Sequence, residues 1–596
     1  MRAYICFYIS LAVLLIGLTL AIYLIKAPYK RGRMLSPLNC VLTSVFLAVF
    51  MLFLPVHYEQ FSNEALRLIK SIFVSIHSTM RLFVLDGEFD IIREFTASLP
   101  QKLRFGYSVV SAVLYVLAPV MTFGFVLSFF KNVSAYRRLI FHYFLDVCVF
   151  SELNEKALAL AASMKKNSRC LIVFTDVFEN NEESIFELCE RAKELNAVCF
   201  KKDIADINWS FHSPKAKVSL FTIGENETEN VDQSVKLIDY YGDRSNFRLY
   251  IFASGAESEV LFHTTRSDGM RIRRVNPFRA LVNQNLYYKG ISLFRGAVDA
   301  EDGKKKISVV LLGIGQYGIE MLRALPWFCQ MDGYDVDIYA FDRDSKTEEK
   351  FTAQCPELML PKKNGVYEEG EAQYRIQIYS GVDVETKSFM DRICEIEQIS
   401  HVFIALGDDS ENIQAAINMR MLCERKKLYP TIQAIVYDSK KKSRLEKITN
   451  YRGHAYNIDF FGDLESVYSE GVIIDSKLEQ TALERHLKWG KEEEFWAYEY
   501  NYRSSIAAAI HLKMRELCGV SGALKGREEL TEEEKDSIMR LEHRRWNAYM
   551  RSEGYIFSGS TAKETRNDLG KMHHDLVPFD QLSAGEPEKD LNVGTI

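Results

Sequence analysis

Two groups of residues in this 596-residue chain have the types and spacing to recognise a ligand. The first is Gly313-Ile314-Gly315-Gln316-Tyr317-Gly318, which follows an apolar run over 307–312 and precedes a helical stretch over 319–325 that stops before Pro326. In such a turn the first glycine permits a tight reversal, the second lets backbone amides approach a pyrophosphate, and the third lets helix pack on strand. The phosphate then sits on the helix N-terminus, where unbonded amides favour an anion. A second apolar run over 336–341 ends on Asp342, placed to accept a hydrogen bond from an adenosine ribose hydroxyl. The alternative is a glycine turn kept for packing alone. A further turn, Gly407-Asp408-Asp409-Ser410-Glu411-Asn412, lies between a strand over 401–406 and a helix over 413–425. Open parallel sheets bind ligands at the carboxyl ends of their strands, so Asp408 is a candidate contact in the same crevice. Asp408 or Asp409 serves equally well as a helix N-cap.

The second group lies near the C-terminus. His543, Arg544 and Trp546 stand together on a helical stretch, and Arg566 and His573 follow. They combine a stacking surface with cationic and hydrogen-bonding groups, which suits a base plus phosphate or an acidic partner. The plain alternative is a small helical domain with Trp546 in its core and its arginines in solvent. Other chemistry has no support in the sequence. The eleven cysteines stand singly with no CxxC, so neither a zinc knuckle nor a dithiol is indicated. His573-His574-Asp575 resembles a metal cluster only superficially, because adjacent side chains in a turn seldom converge on one ion. No Walker lysine, nucleophile elbow or HExxH occurs, so no catalytic residue is assigned. No separate substrate domain is present to hold a hydride acceptor, which disfavours an NAD(P)-dependent oxidoreductase.

The elements that must position these residues repeat. Strands over 307–312, 336–341, 374–379, 401–406, 432–436 and 455–460 alternate with helical stretches, which predicts an α/β domain with a parallel sheet over 301–475. A first copy occupies 139–300. Its turn Gly224-Glu225-Asn226-Glu227-Thr228-Glu229-Asn230 echoes Gly407 to Asn412, and its second strand, 170–175, also ends on an acid, Asp176. Where the glycine turn belongs, the first copy has Phe150-Ser151-Glu152-Leu153-Asn154-Glu155-Lys156-Ala157, with no glycine. Side chains there obstruct a phosphate and Glu152 and Glu155 repel it, so this copy reads as degenerate. A helical connector over 476–530 and a mainly α segment over 531–596 complete the chain.

The first 138 residues differ in kind. Uncharged apolar runs over 4–25, 38–56 and 107–130 are each long enough to cross the roughly 30 Å hydrocarbon core. A cleaved signal peptide needs a basic n-region, a shorter apolar run and a small-residue cleavage site, whereas here Arg2 is the only charge before the run and no such site follows. Lys26, Lys30, Arg31 and Arg33 lie between the first two spans, and Lys131, Arg137 and Arg138 follow the third. The positive-inside rule therefore predicts a multi-pass protein of the inner (cytoplasmic) membrane with its N-terminus outside and its large C-terminal part cytosolic. The stretch over 65–85 carries Arg67, Lys70 and Arg81 and reads as an amphipathic or re-entrant helix. No carbonyl-filter sequence follows it. The mean hydropathy of −0.11 and net charge of −6 average over these unlike parts, and the mild acidity argues against nucleic acid as a partner.

The second α/β copy, with Gly313, Gly315, Gly318, Asp342 and its Gly407–Asn412 turn, resembles the TrkA-N (RCK) domain of bacterial potassium transport regulators, and the first copy resembles a degenerate form of it. The resemblance implies Rossmann-like domains that bind NAD(H), ATP or another adenine nucleotide and pair into homo-oligomers beneath an ion channel or transporter subunit. Leu541 to Trp546, Gly554-Tyr555, Arg566-Asn567-Asp568, His573-His574-Asp575-Leu576-Val577-Pro578-Phe579 and Glu588-Lys589-Asp590 are similar to the RyR domain of ryanodine receptors and many bacterial proteins. His574 departs from the family's usual proline. The combined expectation is a membrane-anchored nucleotide sensor that regulates or forms an ion pathway. The alternative within that class is a membrane effector of antiphage defence opened by a signalling nucleotide.

Overall fold

The computed structural model describes residues 2–595 except 27–36, 63–64, 85, 88, 130–132, 168, 178–182, 256–257, 260, 263–268, 360–361, 364–365, 368–372, 475 and 521–524. Lys30, Arg31, Arg33 and Lys131, on which the predicted orientation rests, lie outside the described residues. The chain forms two compact units, residues 1–138 and 139–596.

The first unit is helical. Helices α1 (Arg2–Lys26), α2 (Pro37–Gln60) and α5 (Gln101–Phe129) are long and apolar enough to cross a membrane. Gly17 lets α1 close onto α2, since a Cβ there would lie 1.9 Å from Ser44 Oγ. Small residues at such contacts let membrane helices approach closely. Helix α3 (Arg67–Phe83) is amphipathic as predicted, but its apolar face is turned outward. Ser71, Ser75, Ser78 and Thr79 are buried, with Ser78 Oγ 3.0 Å from His57 Nε2 on α2, whereas Leu68, Ile69, Phe73 and Met80 are exposed. The exposed face is mixed, since Lys70 and His77 stand on it between these apolar residues. Helix α4 (Phe89–Ala97) joins α3 to α5, and α6 (Val133–Phe141) follows α5.

The second unit holds two mainly parallel sheets, the second carrying a two-residue antiparallel strand at Val298–Asp299. Strands β1 (Asp146–Phe150), β2 (Cys170–Phe174), β3 (Val198–Cys199), β4 (Val218–Thr222), β5 (Phe247–Phe252) and β6 (Arg271–Val275) form the first, in the order β3-β2-β1-β4-β5-β6. Strands β7 (Lys305–Leu312), β8 (Tyr334–Asp342), β9 (Tyr374–Ser380), β10 (His401–Ile404), β11 (Thr431–Ile435) and β12 (Ile458–Phe461) repeat that order as β9-β8-β7-β10-β11-β12. The order reverses beside the first strand of each sheet, between β1 and β4 and between β7 and β10, leaving a crevice at the carboxyl ends of the strands. Near-continuous apolar runs such as β2 and β7 are the signature of strands covered on both faces.

Helices link the strands and join the two copies. Helix α7 (Glu155–Asn167) leaves β1. Helix α8 (Pro277–Lys289) follows β6 and packs on α9 (Gln316–Phe328), the helix that leaves the glycine turn. Tyr317, Ile435, Val467 and Tyr468 of the second copy in turn share a core with the first sheet, so the copies are packed together. The predicted stop before Pro326 does not occur. Helix α9 runs through it to Phe328, because the proline sits in the last turn, where it removes a single backbone donor. Helix α10 (Asp409–Arg425) follows β10.

The connector forms α11 (Lys477–His486), α12 (Glu492–Ala497) and α13 (Glu499–Cys518). The C-terminal segment is α14 (Glu532–Ser552), a two-residue parallel pair at Ile556–Phe557 and Met572–His573, and α15 (Glu586–Gly594). Thr531 and Glu534 form a reciprocal capping box that starts α14. These segments are not a separate lobe: Ala507, Ile510, Tyr549 and Met550 belong to the same core as Leu322, Leu325 and Ile338.

Candidate functional site

The glycine turn is built as its sequence demands. Gly313 has φ +86°, the left-handed region that favours glycine, and a Cβ there would lie 2.4 Å from the Ala405 carbonyl oxygen. A Cβ at Gly318 would lie 1.9 Å from the Gly313 carbonyl oxygen, so this glycine lets the helix begin against the turn. Gly315 is different. It is exposed, its backbone is extended, and a Cβ there would meet nothing within 4 Å. It is the N-cap of α9 and offers no side-chain cap. The first-turn amides of a helix have no partner within it, so the start of α9 presents donors at an open position.

A cavity of about 300 Å³ lies at this turn, lined by Gly313, Gly315, Asp342, Arg343, Val382 and Val384 among others. Asp342 is held rigidly. Its Oδ2 accepts from the Ile314 amide at 2.7 Å, and its Oδ1 accepts from the Asp344 amide at 2.8 Å and from Thr347 Oγ1 at 3.2 Å. A carboxylate has about four lone-pair sites, so one remains for a ligand hydroxyl. Arg343, on the cavity wall beside it, has a side chain 72% exposed and lies 3.8 Å from Glu411.

Asp408 is placed otherwise. It is exposed and caps α10, accepting from the Ser410 amide at 2.7 Å and the Glu411 amide at 3.1 Å. Asp409 is buried and ties this turn to the next by accepting from the Tyr437 and Asp438 amides. Both aspartates of this turn are therefore engaged by backbone amides, Asp408 by its own turn and Asp409 by the next. Asn412 accepts from the Leu406 amide and donates to the Ile435 carbonyl, and Asn230 does the same for Gly224 and Phe252 in the first copy. The echo between the two turns is thus a shared structural asparagine.

The first copy's turn is filled by its own side chains. Ser151 Oγ accepts from the Ile223 amide, Asn154 donates to the Ile223 carbonyl, and Glu152 accepts from the Glu225 amide. Asp176 is pushed up to about 6 by burial together with the neighbouring acids Asp203, Glu229 and Glu152. Acids disfavour phosphate; the second copy's cavity also carries Asp342, Asp383, Glu385 and Glu411, but there Arg343 lies on the wall and the turn itself is left open.

A larger cavity, about 790 Å³, lies between the connector and the C-terminal segment. His543, Trp546, Arg566 and His573 all line it, whereas Arg544 does not: its guanidinium is paired with Asp332 in the second α/β copy. Arg544 faces that copy because it stands one residue round the helix from His543. Trp546 is half-buried, with its ring 4.9 Å from that of His573, edge to face. His543 is buried, 2.8 Å from the Val577 carbonyl oxygen and 3.3 Å from the Asp590 carboxylate. Burial, helped by the Arg566 charge, pushes His573 down to about 3, so its ring is neutral near pH 7.

The connector contributes residues that sequence reasoning passed over. Arg485 and Lys488 both donate to the Thr595 carbonyl, Trp489 stands beside them, and all three line the cavity. No carboxylate pairs with either cation among the described residues; burial lowers both, and Lys488 is lowered further by Arg485. Arg545 is 1% exposed and held by Glu542, yet its Nη1 has no partner; the Nδ1 of buried His574 has none either. Buried polar atoms without partners on a cavity wall, a donor at Arg545 and a ring nitrogen at His574, mark where a ligand or water atom belongs. The spacing Arg485-x-x-Lys488-Trp489 was the available sequence signal.

His573, His574 and Asp575 do bring ligand atoms within 4.8 Å of one another, closer than their adjacency suggests. The two rings are stacked, 11° from parallel, so their lone pairs lie in parallel planes and do not converge on one ion. No protein-family model matches the chain, and no curated protein matches it.

Proposed function

We propose that this chain is a membrane-anchored nucleotide sensor in which the second α/β copy, a Rossmann-like domain of the TrkA-N (RCK) kind, binds NAD(H), ATP or another adenine nucleotide at its glycine turn. The observation that carries the reading is Gly315: an exposed, uncapped helix start in open space, facing a cavity whose wall ends in Asp342. Phosphate would sit on the first amides of α9, the ribose would reach the remaining lone pair of Asp342, and Val382 and Val384 would flank the base. The strand order of both sheets supports the assignment. The first copy, its turn occupied and acidic, serves as a packing partner.

The output is an ion pathway, by resemblance to potassium-transport regulators. Three spans are too few to enclose a pore, so the chain would act as a homo-oligomer or beside a channel subunit. The buried Ser71, Ser75, Ser78, Thr79 and His57 place a polar patch beside the apolar core of the membrane unit, which is costly in hydrocarbon and is kept where function needs it. A second reading is favoured by the C-terminal cavity, which is larger and more cationic than the first. In it, the RyR-like segment detects a signalling nucleotide and the spans open as a defence effector.

Proteoliposomes holding the full chain and loaded with a potassium-sensitive dye test both readings. Flux that starts on adding ATP or NAD(H) and is lost in Gly315→Asp supports the first. Flux that answers only to a cyclic dinucleotide and is lost in Arg545→Met supports the second. Flux indifferent to every nucleotide contradicts sensing.

A further inference from the structure

A chain of ion pairs, largely withdrawn from water, lines a third cavity where α8, α9, α13 and α14 meet. Glu320 lies two residues beyond Gly318 on α9, and its side chain is 8% exposed. It accepts from Arg279 Nε on α8 at 2.7 Å and from Asn276, which caps the same helix, at 3.0 Å. The other end of the Arg279 guanidinium reaches Glu553 at 2.9 Å. Glu553 immediately follows α14, which carries His543 and Trp546 into the C-terminal cavity. Glu553 is also held by Arg503 of α13 at 3.2 Å, and Arg503 pairs with Glu499. Glu499 in turn meets Arg274 of β6, whose side chain is 3% exposed, at 3.0 Å. The same helix α13 presents Tyr500 and Ser504 to the C-terminal cavity.

Each wall helix is thus gripped by the same carboxylates and guanidiniums: α9 through Glu320, α13 through Glu499 and Arg503, and α14 through Glu553. Charges removed from water tolerate little separation, because an unpaired partner carries its full desolvation penalty. A shift of α9 that moves Glu320 must draw Arg279 with it or give up its closest ion pair, keeping only Arg323 of the same helix at 3.9 Å, and Arg279 is bound to Glu553. We propose that this Glu320–Arg279–Glu553–Arg503 relay couples occupancy of the glycine-turn cavity to the shape of the C-terminal cavity. The proposal rests on the nucleotide reading of the first cavity for its trigger. The mechanical link itself is a property of the empty protein.

Hydrogen exchange on the full chain in lipid nanodiscs separates the two. Without ligand, Glu320→Gln keeps the side-chain shape and removes the charge. The relay predicts about tenfold faster exchange in 549–557 and 499–505, with 413–425 unchanged. Read from the other end, Glu553→Gln predicts the same for 316–323. A change confined to the mutated helix, or a rise spread over the whole unit, overturns the relay whether or not nucleotides bind. ATP and NADH then test the trigger. Protection at 313–320 accompanied by altered exchange at 549–557 in wild type, with the distant change lost in Glu320→Gln, is the expected result. Protection at 313–320 with no distant change overturns the coupling and leaves the nucleotide site standing. Absence of protection at 313–320 with either probe, while the ligand-free variants behave as predicted, overturns the trigger and keeps the link.

Discussion

The glycine turn separates folding from binding one atom at a time. In Gly315→Ala the added Cβ meets no protein atom within 4 Å, and the backbone there is extended and open to alanine. Restricting the unfolded chain favours the variant by about 0.4–1 kcal/mol. Losing glycine at an N-cap works against it by a similar amount. The net change in stability is therefore within about 1 kcal/mol of zero. The same Cβ points into the space a phosphate would need, and each charge-assisted hydrogen bond lost costs about 1.5–3 kcal/mol, a factor of about 10–100 in affinity. Gly318→Ala does the reverse. Its Cβ would stand 1.9 Å from a backbone oxygen, so the turn must yield by about 1 Å to relieve the contact. Because the atom met is backbone, the cost falls at the upper end of the overpacking range, about 3 kcal/mol or more. Thermal melts and calorimetric titration of ATP and NADH into both variants decide between binding and packing. If Gly315→Ala binds as wild type does, the turn is a packing device and no phosphate sits on it.

Three further outcomes are expected. Asp342→Asn keeps the shape but offers a single acceptor oxygen where two now serve Ile314, Asp344 and Thr347; a loss of about 1–2 kcal/mol in denaturant melts and weaker nucleotide binding should appear together. Arg544→Ala, which breaks the partly exposed pair with Asp332, should cost about 1 kcal/mol and leave ligand binding in the C-terminal cavity unchanged by calorimetry. His573, held neutral down to about 3, stabilises the fold fully above the unfolded value near 6.5 and loses that contribution as pH falls toward 3. By pH 5 about 2 kcal/mol should be gone from wild type, and His573→Gln should show a flatter stability profile over that window.

The parts of this molecule that are legible in its sequence are those fixed by local pattern. Apolar runs locate α1, α2 and α5 and most strands of the second sheet, because burial on both faces leaves little room for polar residues. Gly313 and Gly318 are readable because only glycine fits a positive φ or a backbone contact. The features that escape depend on partners distant in sequence. Nothing near Arg544 announces that it meets Asp332, and Arg485 and Lys488 look like ordinary surface cations until α11 is folded against the C-terminus. Asp408 shows the limit of a turn motif, since capping and ligand contact call for the same residue at the same place. Helix α3 is legible as amphipathic, but which face turns outward depends on α2.

The most direct test is equilibrium titration of ATP, NAD(H) and a cyclic dinucleotide into the full chain in lipid nanodiscs, beside Gly315→Asp. Saturable binding of an adenine nucleotide, one per chain and abolished by the substitution, is the predicted result. Binding that survives Gly315→Asp, or none with any of the three, would contradict a nucleotide sensor built on the glycine turn.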